Sequence, residues 1–208
     1  MSLPDGVRRR AIDDSEGLAT RGEPVYGEPT DGEWRRWDPR RSKLGAMLEA
    51  GMRTELEGGE TVLYLGAAAG TTVSHVADFA GPTYAVEFAP RPTRDLLSAA
   101  EPRGNLFPLL EDARNPETYA HVVEPVDVVV QDVATRGQAA VALANRRFLR
   151  ADGRLLLSVK ARSEDVTGDP ESVFEAVLDE LEDGYDLLET RSLEPFHDDH
   201  LAAVATPE

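Results

Sequence analysis

From Thr61 onward the chain alternates short apolar runs with amphipathic stretches, and this alternation constrains its fold more than any other feature. TVLYLG (61–66), TYAVEF (83–88), LFPLL (106–110), VDVVVQD (126–132) and RLLLSVK (154–160) are bounded by turn residues and read as buried strands. Between them Val73, Val76, Ala77 and Ala80 recur at helical spacing, followed by Leu96, Leu97 and Ala100. Further helices are expected near 137–149 and 171–183, the latter with Phe174, Val177, Leu178 and Leu181 on one face. Strand–helix alternation predicts an α/β, Rossmann-like fold, a mostly parallel sheet with helices on both faces. The end, YDLLETRSLE then HLAAVAT, adds an antiparallel edge hairpin and brings the sheet to seven strands.

A chain of 208 residues can bury a full core. Residues 1–33 are rich in Gly, Pro, Asp and Glu, with only short candidate strands around Leu18–Thr20 and Val25–Tyr26. The aromatic and basic stretch WRRWDPRR (34–41) follows, then a short helix with Leu44, Met47 and Leu48 on one face, ending at Gly51. The expected division is a short β-rich or irregular N-terminal segment with a linking helix over 1–54, and the main domain over 55–208. With no cysteine, disulfides, thiolate metal sites and cysteine nucleophiles are excluded, and no other metal-ligand spacing is visible. No apolar run approaches the roughly 20 residues of a membrane span, and the N-terminus is too polar for a signal peptide, so a cytoplasmic protein is expected.

The net charge of −17, from 39 acidic and 22 basic residues, argues against strong capture of free nucleic acid. Of those basic residues 20 are arginines and only Lys43 and Lys160 are lysines. An acidic surface with Arg in place of Lys suits a salt-loaded cytoplasm, where carboxylate repulsion is screened. Arginine keeps its proton permanently, whereas a buried lysine can be tuned to release one. Two survivors in a lysine-poor chain therefore suggest positions where a compact ammonium, or a neutral amine, is required, with chance retention the plainer alternative on composition alone.

Doubly wound sheets bind ligands beyond the carboxyl ends of their strands. The first strand of the alternating region ends in Gly66-Ala67-Ala68-Ala69-Gly70-Thr71-Thr72, small residues that let a ligand approach the backbone. A phosphate-binding P-loop needs Gly-Lys-Ser/Thr, and no lysine is present. A dinucleotide site prefers three glycines and only two occur; S-adenosylmethionine needs only close approach and polar caps. Glu87 lies 21 residues after Gly66, where a carboxylate would accept both ribose hydroxyls of an adenosine. Asp112 and Asp132 end or follow the next two strands, so three acids in series at one sheet edge indicate a nucleoside site. Lys160 ends the next strand beside Asp132, a poor device for stability and a good one for chemistry. Lys43 starts the helix just before the sheet domain. His200 opens the last strand, where a surface histidine in an acidic turn is the plainer reading.

WDPRRSKL, YLGAAAGTTVSHVAD, AVEFAPR, QDVAT, VKARSEDVT and EPFHDDH together resemble archaeal fibrillarins, guide-RNA-dependent ribose methyltransferases. The resemblance runs from about Val25 to the C-terminus; residues 1–22 match less well, and the small N-terminal β-domain of the family reads as shortened. It implies a class I S-adenosylmethionine-dependent methyltransferase fold. Implied cofactor contacts fall in the Gly66 and Ala68 loop, at Thr71, Thr72, Glu87, Phe88, Asp112 and Ala113, and at Asp132, Val133, Ala134 and Thr135. The implied catalytic set is Lys43, Asp132, Lys160 and His200, which holds both lysines of the chain. Implied partners are a Nop-type scaffold protein, a kink-turn-binding protein, a box C/D guide RNA and rRNA or tRNA substrate, and no membrane.

The reaction so implied is methyl transfer from a sulfonium to a ribose 2′-hydroxyl. Either neutral Lys160 acts as base, or Asp132 takes the proton while charged Lys160 stabilises the alkoxide. Desolvation and Lys43 favour the first and Asp132 opposes it, so residue types alone leave both open. Another S-adenosylmethionine enzyme and a non-catalytic scaffold subunit are the alternatives; neither needs amines at Lys43 and Lys160.

Overall fold

The computed structural model describes residues 3–208. In chain order its elements are β1 (Arg8–Ile12), β2 (Ser15–Arg21), β3 (Thr30–Asp31), β4 (Trp34–Arg36), α1 (Lys43–Glu49), β5 (Val62–Leu65), α2 (Thr71–Ala77), β6 (Thr83–Glu87), α3 (Pro90–Ala100) and β7 (Leu106–Leu110). They continue with β8 (Val126–Gln131), α4 (Gln138–Asn145), β9 (Leu149–Lys160), α5 (Ala161–Glu164), α6 (Pro170–Leu181), β10 (Tyr185–Ser192) and β11 (His200–Pro207). The large sheet has seven strands in the order β10-β11-β9-β8-β5-β6-β7. β5 to β9 pair in parallel, whereas β11 runs antiparallel between β9 and β10.

Alternation along the strands sorts the core into two layers. Val62, Tyr64, Ala85, Val128, Val130, Leu156, Ala202 and Val204 face α1, α2 and Trp37. Their neighbours Leu63, Leu65, Val86, Val129, Leu155, Leu157, Val159, Ala203 and Ala205 face α4 and α6. Burial on both faces is why these strands read as continuous apolar runs. Two of the helices, α1 and α6, start at side-chain caps. Ser42 Oγ accepts from Gly45 N at 2.9 Å to open α1, and Asp169 accepts from Ser172 N at 3.1 Å before Pro170 opens α6. The helix expected over 137–149 stops at Asn145, because Leu149 already pairs with Val126 as the first residue of β9.

The N-terminal segment differs from expectation. It forms a four-stranded antiparallel sheet in the order β1-β2-β4-β3 rather than two isolated short strands. Leu18–Thr20 lies in β2, but Val25 and Tyr26 are not in a strand. Their amides donate to the Glu28 carboxylate at 2.8–3.1 Å, a local turn that competes with any ladder. β1 reads as polar because of its five residues only Ile12 is buried.

This sheet is joined to α2 by a buried polar network. Arg35, fully buried, donates to Glu28 Oε1 at 2.5 Å, Asp78 Oδ2 at 2.8 Å and Ser74 Oγ at 3.1 Å. Arg103 reaches Asp78 Oδ1 at 3.1 Å. Thr20 Oγ1 donates to Asp78 at 2.7 Å and so receives the Nδ1 proton of His75, whose ring stacks on Trp37 at 5.1 Å. Burial holds the His75 pKa well below its ordinary value, so the ring is neutral. Two guanidiniums balance two carboxylates, and removing one partner of such a pair costs about 3–5 kcal/mol. Among the described residues no helix is long and apolar enough to cross a membrane.

Candidate active site

Strand parity brings the site together. Val128 and Val130 of β8, Leu156 of β9 and Ala202 and Val204 of β11 all face α1. Continuing by twos, Asp132, Lys160 and His200 fall on that same face, at the ends of the strands nearest the N-terminus of α1, where Lys43 is the first helical residue. Asp132 Oδ1 lies 2.8 Å from Lys160 Nζ and 3.3 Å from Lys43 Nζ, so both lysines of the chain meet on one oxygen. Lys160 Nζ also donates to the Asp132 backbone carbonyl at 2.8 Å. Its contact with Oδ1 is a charge contact without hydrogen-bond alignment. Burial lowers the Lys160 pKa from its ordinary value, Asp132 opposes that shift and Lys43 adds to it; the net direction is down.

His200 is the direct β11 partner of Lys160. Its Nδ1 lies 2.6 Å from the Asp198 carbonyl, which can only accept, so Nδ1 carries the proton and Nε2 is left as an acceptor. Burial lowers its pKa, with Lys43, His197 and Lys160 adding to the effect, and the ring is neutral near pH 7. The neighbouring His197, whose ring centroid is 5.7 Å from that of His200, donates from Nε2 to the Pro39 carbonyl at 2.8 Å. That bond ties the β10–β11 turn to the segment leading into α1. His197 lies within the EPFHDDH motif, but no role was assigned to it from sequence.

Beside this cluster opens a cavity of about 530 Å³. Gly66, Ala68, Glu87, Phe88, Asp112, Ala113, Asp132, Val133, Ala134, Thr135 and Lys160 line it. Gly66 sits at φ +85°, and a Cβ there would lie 2.7 Å from the Asp132 carbonyl, so only glycine lets β5 and β8 end this close together. Glu87, almost fully buried, accepts from Ala68 N at 2.9 Å with one oxygen and from Ala89 N at 2.8 Å with the other. This holds the loop in place, with Ala68 at φ +48°. Beside it Phe88 is 67% exposed.

Of the cofactor contacts that the resemblance implied, Thr71 and Thr72 are not among the residues lining this cavity. Thr71 opens α2 on a second groove of about 420 Å³ shared with Tyr26 and Arg41, and buried Thr72 turns its hydroxyl towards the Tyr64 phenol. Asp112 does line the cavity, but its carboxylate is bridged by Arg114 at 2.6–3.0 Å, which holds its pKa below the ordinary value. Glu111, Arg114 and Pro92 also line the cavity and were not anticipated. The D-x-R spacing of Asp112 and Arg114 was the available signal for one of them.

The profile of the fibrillarin family matches residues 13–208, so the match extends well N-terminal of Val25. The chain is 72% identical over 207 residues to the fibrillarin-like rRNA/tRNA 2′-O-methyltransferase of Haloarcula marismortui, spanning 100% of this chain and 99% of that one. It is 70% identical over 208 residues to the protein of that description from Halorubrum lacusprofundi, spanning 100% and 98%. Among solved structures it superposes on the chain described as a fibrillarin/Nop5p complex with a TM-score of 0.91 and 41% identity, over the whole of both chains. It also superposes on Aeropyrum pernix fibrillarin with natively bound S-adenosyl-L-methionine, with a TM-score of 0.85 and 43% identity over 97% and 94%. Strand order, cavity and lysine cluster thus occur in a chain matched end to end by these relatives, and the chain belongs to the fibrillarin family.

Proposed function

We propose that this chain is the catalytic subunit of a box C/D guide-RNA particle, transferring a methyl group from S-adenosylmethionine to ribose 2′-hydroxyls of rRNA and tRNA. The observation that carries this reading is the meeting of Lys43 and Lys160 on Asp132 Oδ1 at the wall of the cavity. An adenosyl cofactor suits the residues there. A carboxylate has about four lone-pair sites; Glu87 uses two on Ala68 and Ala89, leaving two for vicinal ribose hydroxyls. Exposed Phe88 offers a ring face for adenine, and the volume lies within the roughly 300–1,000 Å³ of ligand pockets. Glu87, Phe88, Asp112, Ala113 and the stretch Asp132–Thr135 would hold it. Bound there, it supplies an electrophilic methyl on a sulfonium centre.

In this reading Lys160, its pKa lowered by burial, accepts the 2′-hydroxyl proton at Nζ as the ribose oxygen takes the methyl. Asp132 holds that amine in place through two contacts, and Lys43 adds positive charge that favours its neutral form. His200 presents Nε2 as an acceptor that orients a ribose hydroxyl. Residues 1–54 form the N-terminal segment and 55–208 the methyltransferase domain, and α1 of the first brings Lys43 to Asp132 of the second.

A Nop-type scaffold and a kink-turn-binding protein complete the particle, and guide pairing selects the nucleotide. This suits a chain of net charge −17 with little electrostatic grip on free RNA. The acidic, arginine-for-lysine composition suits a salt-loaded cytoplasm. The deciding experiment is transfer of labelled methyl to a guide-matched RNA, with and without the assembled particle, in high salt. Transfer only with the particle supports the reading; no transfer in either arm refutes it.

A further inference from the structure

Lys160 is the last residue of β9, and its backbone leaves one side without a strand partner. β8 pairs with β9 only as far as Gln131 opposite Leu157, then turns away towards α4. On the other side Lys160 faces His200 of β11, while the Ala161 amide donates to Asp199 at 3.1 Å. In an antiparallel ladder, hydrogen-bonded and non-hydrogen-bonded pairs alternate, so Lys160–His200 is a non-hydrogen-bonded pair. The N–H and C=O of Lys160 therefore point away from β11, into the space β8 has vacated. Left empty there, two buried backbone groups would cost about 1–3 kcal/mol each.

One side chain fills that space. Gln138 Oε1 accepts from Lys160 N at 2.9 Å, and Gln138 Nε2 donates to Lys160 O at 3.1 Å. The amide imitates the edge of a neighbouring strand, bonding both backbone groups of one residue. Gln138 is fully buried and is itself held from two directions. Its N–H donates to Glu164 Oε1 at 2.6 Å, with Gly137 N on Oε2 at 2.9 Å, so Glu164 of α5 caps α4 in place of any local side chain. Its C=O accepts from Gln131 Nε2 at 2.7 Å, one residue before Asp132. Gln138 therefore links the strand end bearing Asp132 to the one bearing Lys160, while touching neither the cavity nor the reacting groups.

We propose that Gln138 is a positioning residue for Lys160: its side-chain amide fixes the end of β9 so that the amine meets Asp132 and the substrate hydroxyl. The proposal rests on the methyltransferase reading above. Without the clamp the strand end frays, and Nζ leaves the position 2.8 Å from the Asp132 backbone carbonyl and 2.8 Å from its Oδ1. A displacement of about 1 Å in a reacting group can cost on the order of 10²-fold in rate.

The test uses Gln138→Leu, which removes both bonds, and Gln138→Glu, whose carboxyl reproduces donor and acceptor only while protonated. Transfer is measured in the assembled particle at saturating cofactor and RNA, across a pH series, with cofactor affinity and thermal midpoint recorded for each variant. We expect Gln138→Leu to lose about 10²-fold in transfer rate with cofactor affinity nearly unchanged. We expect the Gln138→Glu rate, as a ratio to wild type, to fall as pH rises and the introduced carboxyl ionises beside Glu164, Asp132 and Lys160. Because the chain has only two lysines, isotope-labelled lysine gives two side-chain NMR signals, assigned with Lys43→Arg, and needs no activity. In Gln138→Leu the Lys160 signal should titrate nearer the ordinary lysine value as the amine moves towards water. An inactive wild-type particle refutes the methyltransferase reading and leaves the NMR arm to judge the clamp. A folded Gln138→Leu with wild-type rate, or with an unmoved Lys160 titration, overturns the proposal.

Discussion

His200 faces Lys160 directly across the β9–β11 ladder, and the register that makes them partners is set by the apolar residues behind them. Ala202 opposite Ser158, Ala203 opposite Leu157, Val204 opposite Leu156 and Ala205 opposite Leu155 alternate between the two core layers. A slip of one residue would put Ala203 in the α1 layer and carry His200 to the opposite face. The packing of the strand thus determines which imidazole stands beside the amine.

Lys160→Arg tests the base. The substitution keeps the charge but supplies a larger, planar group that does not deprotonate. Turnover at saturating RNA should fall by roughly 10²–10⁴-fold with cofactor affinity little changed. Single-turnover transfer and equilibrium cofactor binding check this, and near-normal turnover would show that the amine is dispensable.

The pH dependence follows from the same group. With Lys160 as base the rate should rise with pH as the amine loses its proton, with a midpoint below the ordinary 10.5 because burial lowers the Lys160 pKa. Lys43 pushes in the same direction, so Lys43→Gln should move the midpoint upward. A midpoint that moves down, or a rate independent of pH, is the contrary result.

Glu87→Ala should weaken S-adenosylmethionine binding by roughly 10- to 100-fold, the equivalent of a charge-assisted hydrogen bond. The same change frees Ala68 N and Ala89 N, so the loop after β5 should also loosen. Asp112→Ala should weaken binding less, because Arg114 already occupies part of that carboxylate. Calorimetric titration distinguishes the two, and equal losses would contradict the ranking.

Salt should stabilise the fold. At net charge −17 carboxylate repulsion opposes compaction, and raising salt from about 0.1 M to 1 M shortens the Debye length from roughly 10 Å to 3 Å. The exposed ion pairs lost to screening are worth only about 0–1 kcal/mol each. The thermal midpoint should therefore rise across a potassium chloride series, and a falling midpoint would mean that ion pairs outweigh repulsion.

The central strands of the seven-stranded sheet were legible because they are buried on both faces and therefore carry long apolar runs. The N-terminal sheet was not, because β1 exposes three of its arginines, in whole or part, and buries only Ile12. Arg35 shows the limit most clearly. In WRRW it reads as surface charge, yet it is fully buried among Glu28, Asp78 and Ser74, partners that only the tertiary fold brings near. Lysine scarcity singled out Lys43 and Lys160, and strand-end position added weight to Lys160, without any coordinates. Thr71 and Thr72 came from the resemblance alone; Thr71 opens α2 beside a second groove, a placement that residue spacing does not reveal. Gln138 left no trace, since its contacts depend on how α4 is placed against β9.

The bond from His197 to the Pro39 carbonyl spans 158 positions of sequence in a single contact. Lys43 lies four residues after Pro39 and His200 three after His197, so the two segments that carry them are fastened like the jaws of a clasp. Thermal jostling that displaces one jaw drags the other with it, and the gap between amine and imidazole then varies less than the wandering of either segment alone.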